Sequence, residues 1–159
     1  DTSGCLLLSR NPKAHARLQQ AFEAGAVTKR YLAILDGVPE GEAGEIDLPL
    51  GKVSSAAQGW RMRHDPAGKA ARTAWQLLKV QDGQALVEFR PATGRTHQIR
   101  VHALEGLGVP VLGDPTYGRA HKAGMMLHAA ALSVPRAGKP DAAAEAPWPA
   151  RFRDVGFDG

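Results

Sequence analysis

The chain is poor in cysteine, in aromatic residues and in long apolar runs, and each shortage argues against a class of protein. Cys5 is the only cysteine among 159 residues, so no internal disulfide can form. It lies in the apolar run Cys5 to Leu8, which predicts a strand and a buried thiol in a reducing compartment. No apolar stretch approaches the roughly 20 residues of a membrane-spanning helix, and no charged-then-apolar leader opens the chain. A cytoplasmic protein is therefore predicted.

The motifs of several enzyme classes are missing as well. Neither a Walker loop nor G-x-G-x-x-G occurs, so no nucleotide cofactor is predicted. No serine lies in a G-x-S-x-G elbow, and Ser3, His97 and Asp114 therefore do not predict a hydrolase triad. His97 and His102 are five residues apart, not the four of a helical zinc pair, and no Glu lies between them in the expected place. No metal site is predicted.

Positive charge is in modest surplus. The chain has 20 Lys and Arg against 16 Asp and Glu and a net charge of +4, which favours a polyanionic partner without identifying one. Part of the surplus lies in Gly51 to Arg72, where five basic residues accompany Trp60, the single large aromatic. Two interpretations of this basic excursion stay open. It can grip a nucleic-acid backbone, or it can be a solvated surface hairpin.

Most of the chain is predicted to form β-strands. Asn11 and Pro12 supply an N-cap and a first-turn proline and Gly25 supplies a stop, so together they bracket a helix. β-forming residues bounded by turn signals predict strands at Thr28 to Leu35, Ile46 to Leu50, Trp75 to Val80 and Ala85 to Phe89. The Asp82-Gly83 pair predicts a tight hairpin between the last two of these strands.

Hydrogen-bonding side chains are densest between Glu88 and Arg119. Five of them fall within eight residues: Arg95, His97, Gln98, Arg100 and His102. Thr96 is a candidate N-cap and Gly106 a candidate stop for a short helix that would carry Arg100 one turn inside it. An arginine there can project to solvent or lie beneath a cleft, where its planar fork suits a carboxylate or a phosphate.

Four sets of residues resemble, in the same order, the motifs of RluA-type pseudouridine synthases. They are Asp1-Thr2-Ser3-Gly4-Cys5-Leu6-Leu7-Leu8 for the end of R-L-D-x-x-T-S-G, Lys29-Arg30-Tyr31-Leu32-Ala33 for K-x-Y-x-A, Thr93 to His102 with Gly113 to Gly118 for the family signature, and Leu127-His128-Ala129 for L-H-A. Because these motifs extend over most of the chain, it is identified as a member of that family.

The resemblance implies an α+β protein with a mixed, largely antiparallel sheet, flanking helices and a central RNA-binding cleft. Residues 1–159 would form the catalytic domain without its N-terminal part. The family turns a uridine out of the RNA stack, an aspartate attacks the nucleotide, and a carbon-carbon bond replaces the glycosidic carbon-nitrogen bond without cofactor or metal. Tyr31 matches the tyrosine that packs on the base and assists late proton removal. Arg100 matches the arginine that pairs with the catalytic aspartate.

The resemblance also places the nucleophile outside the chain. In the family motif the catalytic aspartate precedes the threonine by three positions, which here is two residues before Asp1. Asp1 is therefore not the expected nucleophile, and as a neighbouring strand residue it should point to the wrong side or lie too far away. The 159-residue chain is expected to bind RNA weakly and to convert no uridine.

RNA is the predicted partner of a monomeric protein, and the choice between ribosomal and transfer RNA stays open. The predicted RNA-binding residues are Lys29, Lys52, Arg61, Arg63, Arg95, Thr96, His97 and Gln98. Two alternatives are a non-catalytic RNA-binding protein on the same scaffold and a structural ribosome-associated protein, which would have denser basic runs. The Ala- and Pro-rich tail from Arg136 is expected to pack loosely except around Trp148 and Phe152.

Overall fold

The computed structural model describes all residues from 1 to 159 and consists mainly of β-strands. In chain order the elements are β1 (Ser3–Gly4), α1 (Pro12–Glu23), β2 (Thr28–Leu35), β3 (Ala43–Asp47), β4 (Leu50–Ser55), β5 (Gly59–His64), β6 (Arg72–Gln81), β7 (Gln84–Pro91), α2 (Gln98–Val101), β8 (Leu127–Arg136), β9 (Lys139–Glu145) and α3 (Ala150–Asp154). A π-helical turn, His102–Gly106, directly continues α2. No helix is both long and apolar enough to cross a bilayer.

Seven strands form one sheet, in the order β1, β8, β2, β7, β6, β3, and β9 also pairs with β8. Only the β1–β8 pair is parallel, and all the other pairs are antiparallel. The prediction of a mixed, largely antiparallel sheet in an α+β protein is confirmed. Strands β4 and β5 form a separate hairpin outside this sheet.

Local sequence signals placed several elements correctly. The Asn11 side chain accepts a hydrogen bond from the Ala14 N–H at 2.8 Å and so caps α1. Strand β2 has the predicted bounds. Asp82 and Gly83 have φ angles of 51° and 72°, the positive values that the predicted tight turn between β6 and β7 requires.

The predicted strand from Cys5 to Leu8 is wrong. The pairing of β1 with β8 ends at Gly4, whose φ of 99° turns the chain out of the strand path. Leu6 and Leu8 are consequently 81% and 74% exposed. The Cys5 thiol is half-buried and not buried as predicted.

The predicted strand Ile46 to Leu50 is divided between the end of β3 and the start of β4. Pro49 lies at the break, where it has no N–H to donate to a ladder. The basic excursion that follows is the β4–β5 hairpin. Whether this segment grips a nucleic-acid backbone or is a solvated surface hairpin therefore depends on which faces of the hairpin a partner can reach.

The C-terminal tail is more ordered than predicted. Its first part forms β9, which pairs with β8 from Ala131 to Arg136 and was not predicted. Phe152 and Phe157 are fully buried, and Trp148 packs against the same apolar cluster. The Ala-rich composition gave a weak strand signal because alanine has a low β-propensity, and β9 forms as the second strand of a hairpin with β8.

Two apolar clusters cover the two faces of the main sheet. Strand β2 shows the alternation, since Ala33 and Leu35 belong to one cluster while Leu32 and Ile34 belong to the other. The tail residues Phe152 and Phe157 close the second face. The first face carries α2 and also bears Tyr31, which packs at the margin of its cluster.

Candidate active site

A cavity of about 490 Å³ opens on the first face of the sheet, beside β1. Tyr31 and Arg100, the two predicted catalytic residues, both line it. Its polar part also includes Lys29, and its apolar part includes Phe22, Ile99, Met125 and Leu127. Tyr31 on β2 and Arg100 on α2, which belong to different family motifs, thus line one hollow.

Tyr31 is half-buried at an irregularity of β2. The register between β2 and β8 shifts between Arg30 and Tyr31, and Tyr31 lies opposite Phe89 on one side and Ala129 on the other. Burial, and secondarily the Cys5 thiol, raise the pKa of its hydroxyl above the ordinary value. The phenol is therefore neutral near pH 7 and can donate or accept a hydrogen bond inside the cavity.

Lys29 lies two residues before Tyr31 on the same strand and is almost completely buried. Its Nζ donates to the Thr93 carbonyl at 2.8 Å and lies 5.5 Å from the centre of the Phe22 ring. Burial lowers the pKa of this ammonium group. Lys29 is thus placed to meet a group inside the cavity and not an RNA backbone passing over the surface.

Arg100 is held in a buried ion pair with Asp114. Its Nε donates to Asp114 Oδ2 and its Nη2 donates to Oδ1, both at 2.7 Å. The Asp114 side chain is fully buried. A guanidinium has five N–H donors and this pair uses two, so the remaining N–H groups are available on the cavity side.

Asp114 also organises the loop that follows it. Its Oδ1 accepts hydrogen bonds from the backbone N–H groups of Thr116 and Tyr117 at 2.9 and 3.0 Å. Burial alone would raise the pKa of the Asp114 carboxyl, but the hydrogen bonds from Arg100, Tyr117 and Thr116 outweigh it and lower the pKa. Asp114 is therefore an anion near pH 7 and fixes both Arg100 and the turn to Tyr117.

Tyr117 joins α2 to the β4–β5 hairpin. Its hydroxyl accepts a hydrogen bond from the Met62 N–H at 2.9 Å and is also hydrogen-bonded to His97 Nδ1 at 2.8 Å. The guanidinium carbons of Arg61 and Arg100 lie 5.1 and 5.0 Å from the centre of its ring. The basic hairpin is thus tied directly to the wall of the cavity.

His97 precedes α2 in a left-handed conformation, with a φ of 54°. This position, and not the predicted Thr96, is the N-cap of the helix, and no side chain caps it. The His97 ring stacks on Trp60 with centroids 5.2 Å apart, while Lys52 Nζ lies 4.8 Å from the Trp60 ring centre. Burial and, secondarily, Arg100 lower the pKa of His97, so its ring is neutral near pH 7.

Gln98 is buried, and its side-chain amide is saturated by protein partners. Its Oε1 accepts from Thr93 Oγ1 and the Arg95 N–H at 2.7 and 2.9 Å. Its Nε2 donates to the Arg72 carbonyl and to Thr73 Oγ1, both at 2.9 Å. All four hydrogen-bonding positions are used. The assignment of Gln98 to RNA binding therefore does not fit this geometry, which is that of a residue holding the turn before α2.

His102 continues the same network inward. The Leu48 carbonyl can only accept, so His102 Nε2 carries the proton and donates it to this carbonyl at 2.9 Å. In the neutral imidazole Nδ1 is then an acceptor and receives a hydrogen bond from Thr73 Oγ1, 2.7 Å away. Burial lowers the pKa of His102, as this neutral form requires. His102 is a structural residue.

The predicted cations of the hairpin do not share one face. Lys52 pairs with Met62 across the hairpin, whereas Arg61 pairs with Val53 and Arg63 with Gly51, which places both arginines on the other face. Lys52 lines a second cavity of about 520 Å³ together with Lys69, Arg95 and Thr96. Arg61 and Arg63 instead line a hollow with Glu105, whose carboxylate accepts from the His64 N–H.

The second cavity adjoins the first through Gly94 and Arg95, which line both. Arg95 is anchored because its Nε donates to the Ala70 carbonyl at 2.8 Å. Thr96 is exposed beside it. Of the predicted RNA-binding residues, Arg95, Thr96 and Lys52 therefore face one basic trough that leads to the cavity holding Tyr31 and Arg100.

The expectation that Asp1 lies away from the site is not met. Asp1 and Thr2 both line the first cavity, because β1 begins only at Ser3 and the two residues before it follow no strand alternation. No three His, Cys, Asp or Glu side chains are grouped as a metal site would need.

Comparison with known proteins identifies the family. A sequence model described as RNA pseudouridylate synthase matches residues 1–105. An uncharacterised RNA pseudouridine synthase of Zymomonas mobilis is 56% identical over 161 residues, covering 99% of this chain and 73% of the relative. The chain belongs to the RluA-type pseudouridine synthases. Pseudouridine synthases are isomerases, so the enzyme class of the family is settled.

Two further comparisons, one with a sequence and one with a solved structure, also match pseudouridine synthases. Ribosomal large subunit pseudouridine synthase D of Zymomonas mobilis is 41% identical over 123 residues, covering 77% of this chain and 38% of that protein. The structure of human RNA pseudouridylate synthase domain containing 1 matches with a TM-score of 0.74 and 31% identity, over 87% of this chain and 61% of the other. The predicted pseudouridine synthase fold is confirmed. The chain spans only part of each of these relatives.

Two residues central to this pseudouridine synthase site were not among the predicted site residues. They are Asp114 and Tyr117, which hold Arg100 and the hairpin in place. The available signal was the Gly113 to Gly118 motif, which carries both. The family resemblance predicts that Arg100 pairs with the catalytic aspartate, whereas the carboxylate that it contacts in the structure is Asp114.

The Arg100–Asp114 pair generates a stability prediction. Arg100→Met should lower the free energy of unfolding by about 3–5 kcal/mol, because Asp114 is left buried without its partner. The double variant Arg100→Met/Asp114→Asn removes the unpaired charge but keeps an oxygen that can accept from Thr116 and Tyr117, so it should recover part of that loss in urea titrations. The contribution of Asp114 should be complete above its ordinary pKa of 3.8 and disappear as the pH falls through the lower folded-state value. A single variant as stable as the parent would contradict the structural role of the pair.

Proposed function

We propose that residues 1–159 are the catalytic domain, without its N-terminal part, of an enzyme that converts a uridine in RNA to pseudouridine. The observation that supports this most directly is that Tyr31 and Arg100 line one cavity, with Asp1 and Thr2 at its side. The reaction is an isomerisation in which the C5–C1′ bond replaces the N1–C1′ bond. C5 loses a proton and N1 gains one, so no co-reactant is required.

The cavity suits a base that has left the RNA stack. Its volume of about 490 Å³ and its wall of Tyr31, Met125 and Leu127 can hold a single pyrimidine. A buried base must satisfy its polar edge, and Lys29, Arg100 and the Tyr31 hydroxyl are the groups available for that purpose. Extrusion of the nucleotide is required because the glycosidic bond and C5 are masked in a duplex.

Arg100 has the geometry of a group that positions a second carboxylate. Asp114 fixes the guanidinium through two of its five N–H groups, three are left over, and Arg100 lines the cavity. The motif register places the nucleophilic aspartate two residues before Asp1, at the side of the cavity that Thr2 lines. A carboxylate arriving there would be kept ionised and aimed by Arg100. In this arrangement Tyr31 packs on the base and assists removal of the C5 proton.

The trough formed by Lys52, Lys69, Arg95 and Thr96 is proposed to receive the RNA backbone next to the target nucleotide. It is continuous with the first cavity, and its three cations outnumber the single carboxylate, Asp65. Trp60 is less available for stacking than expected, because His97 and Lys52 already lie against its ring. Arg61 and Arg63 face Glu105 and are assigned a smaller part.

Ribosomal RNA is the first substrate to examine, since a relative is named for the large ribosomal subunit. Transfer RNA is the alternative, and mapping of modified sites in cells without the gene separates the two. We propose a cytoplasmic enzyme that acts as a monomer, without metal or cofactor. A non-catalytic RNA-binding protein would not need a cavity that combines Tyr31 with an arginine poised for a second carboxylate.

The location of the nucleophile can be tested directly. The 159-residue chain should release no tritium from RNA labelled at uridine C5, whereas a chain extended upstream through the Arg-Leu-Asp segment should be active. Replacement of the added Asp by Asn should abolish release, because the carboxylate is the attacking group. Asp1→Asn in the extended chain should leave the rate within about twofold, since the exposed Asp1 is not required for positioning. Release by the short chain would assign the role to Asp1 instead.

The role of Arg100 can be separated from RNA binding. Arg100→Lys in the extended chain keeps a cation beside Asp114 but removes the planar fork. Turnover should fall by on the order of 100-fold, as expected when a reacting group is misplaced. RNA affinity should stay within a few-fold of the parent value in the same samples. Equal losses of turnover and affinity would reassign Arg100 to contact with the RNA backbone.

Substitutions on the two faces of the hairpin should differ in their effect on RNA binding. Lys52→Ala should weaken RNA binding by the 159-residue chain and lower the slope of log K against log salt by about 0.7–1, the value for one lost phosphate contact. Arg63→Ala removes the same charge from the other face and serves as the matched control, with little change expected. Fluorescence titrations at several salt concentrations measure both. A larger effect at Arg63 would place the backbone on the opposite face.

A further inference from the structure

Arg151, on the C-terminal helix α3, is a cation without a carboxylate partner. Its Nη2 donates to Ser3 Oγ and to the Leu127 carbonyl, both at 2.9 Å. Its Nε is buried and has no hydrogen-bond partner. No ion pair includes this residue. The residue as a whole is only half-buried, but a buried donor without a partner costs free energy, so packing alone does not account for an arginine here.

A short chain of hydrogen bonds runs from Arg151 through Ser3 to His128. The Ala146 carbonyl can only accept, so His128 Nε2 carries the proton and donates it to this carbonyl at 3.4 Å. His128 Nδ1 then accepts from Ser3 Oγ, 2.8 Å away, while Ser3 Oγ itself accepts from Arg151. Burial lowers the pKa of His128, in agreement with a neutral ring. The first strand, β8 and the tail are thereby connected.

Strand β1 has little else to hold it. It contains two residues, Ser3 and Gly4, which pair with His128 and Ala129. The only further backbone bond at its end joins the Cys5 N–H to the Ala129 carbonyl at 2.9 Å. Beyond Cys5 the chain is exposed at Leu6 and Leu8. The side-chain contact at Ser3 is therefore a large part of what determines the position of this strand.

We propose that Arg151 is a positioning residue for catalysis. By clamping Ser3 and Leu127 together it sets the path of Thr2 and of the segment that precedes it into the cavity. Leu127 itself lines that cavity, so one nitrogen atom of Arg151 holds both the incoming segment and the adjacent strand of the cavity wall in register. This inference rests on the proposed function, in which the preceding segment carries the nucleophile.

The first test needs no turnover. In the 159-residue chain, Arg151→Gln should speed hydrogen exchange of the Cys5 amide by at least about tenfold, because local opening of β1 becomes easier. Amides of β2 and β7 should keep their protection. Arg153→Gln, on the exposed side of the same helix, is the matched control and should change neither. Unchanged protection of Cys5, measured by NMR, would overturn the clamp.

A second variant covers the case in which Arg151→Gln fails to fold. Ser3→Ala removes the accepting hydroxyl and leaves Arg151 in place, so it should expose the Cys5 amide in the same way. If Arg151→Gln and Ser3→Ala act through one clamp, their effects should not add in the double variant. Fully additive effects would show two independent contacts and overturn the proposal.

The kinetic test uses the chain extended upstream through Arg-Leu-Asp. Arg151→Gln should lower kcat by on the order of 100-fold, as a misplaced reacting group does, while KM stays within a few-fold. Arg151→Lys, which can still donate to Ser3 and Leu127, should restore part of kcat. An unchanged kcat would overturn the positioning role. If the extended parent itself converts no uridine, the proposed function fails, and the exchange test still decides whether Arg151 holds the strand.

Discussion

The buried ion pair between Arg100 and Asp114 is the contact on which the rest of the site depends. It joins α2 to the loop after the β-bridge at Val111, and Asp114 also accepts from the backbone of Thr116 and Tyr117. Tyr117, placed by that turn, then binds the Met62 N–H and so holds the basic hairpin. A single carboxylate therefore sets the wall of the cavity and the attachment of the neighbouring basic surface. Such a pair is stable only with its full complement of hydrogen bonds, and Asp114 has them.

The polar segment from Arg95 to His102 both lines the cavities and holds the scaffold. Its amino-acid composition does not show which residues do which. Arg95 and Arg100 turn toward the cavities, whereas Gln98 and His102 turn inward and hold the scaffold through Thr73. Buried amides and imidazoles are acceptable in this place because every donor and acceptor is paired. Two of the five side chains that suggested a binding site, Gln98 and His102, therefore support the segment that carries the others. This division also explains why so many donors are gathered in so short a stretch.

The cavity is assembled from parts of the chain that are remote in sequence. Strand β8 is the common partner, since it pairs with β1 on one side and with β2 on the other. Its residues alternate between the two faces, so Leu127 lines the cavity while His128 contacts Ser3 and Phe152 on the reverse. The tail that covers that reverse face is consequently connected to the geometry of the active side. In a member of the pseudouridine synthase family, this cavity is the proposed site at which uridine is isomerised.

Local sequence signals were enough to predict β2, the cap of α1 and the turn at Asp82-Gly83, and to recognise the family motifs. Each of these features depends on neighbours within a few residues. Local signals failed at Cys5 to Leu8, where a positive φ at Gly4 ends the strand, and at β9, whose pairing partner lies across a turn of unremarkable composition. The partner of Arg100, the opposite faces of Lys52 and Arg63, and the contact between Ser3 and Arg151 depend on how strands register and pack. Those relations arise between residues far apart in the chain, where periodicity and turn propensity carry no information.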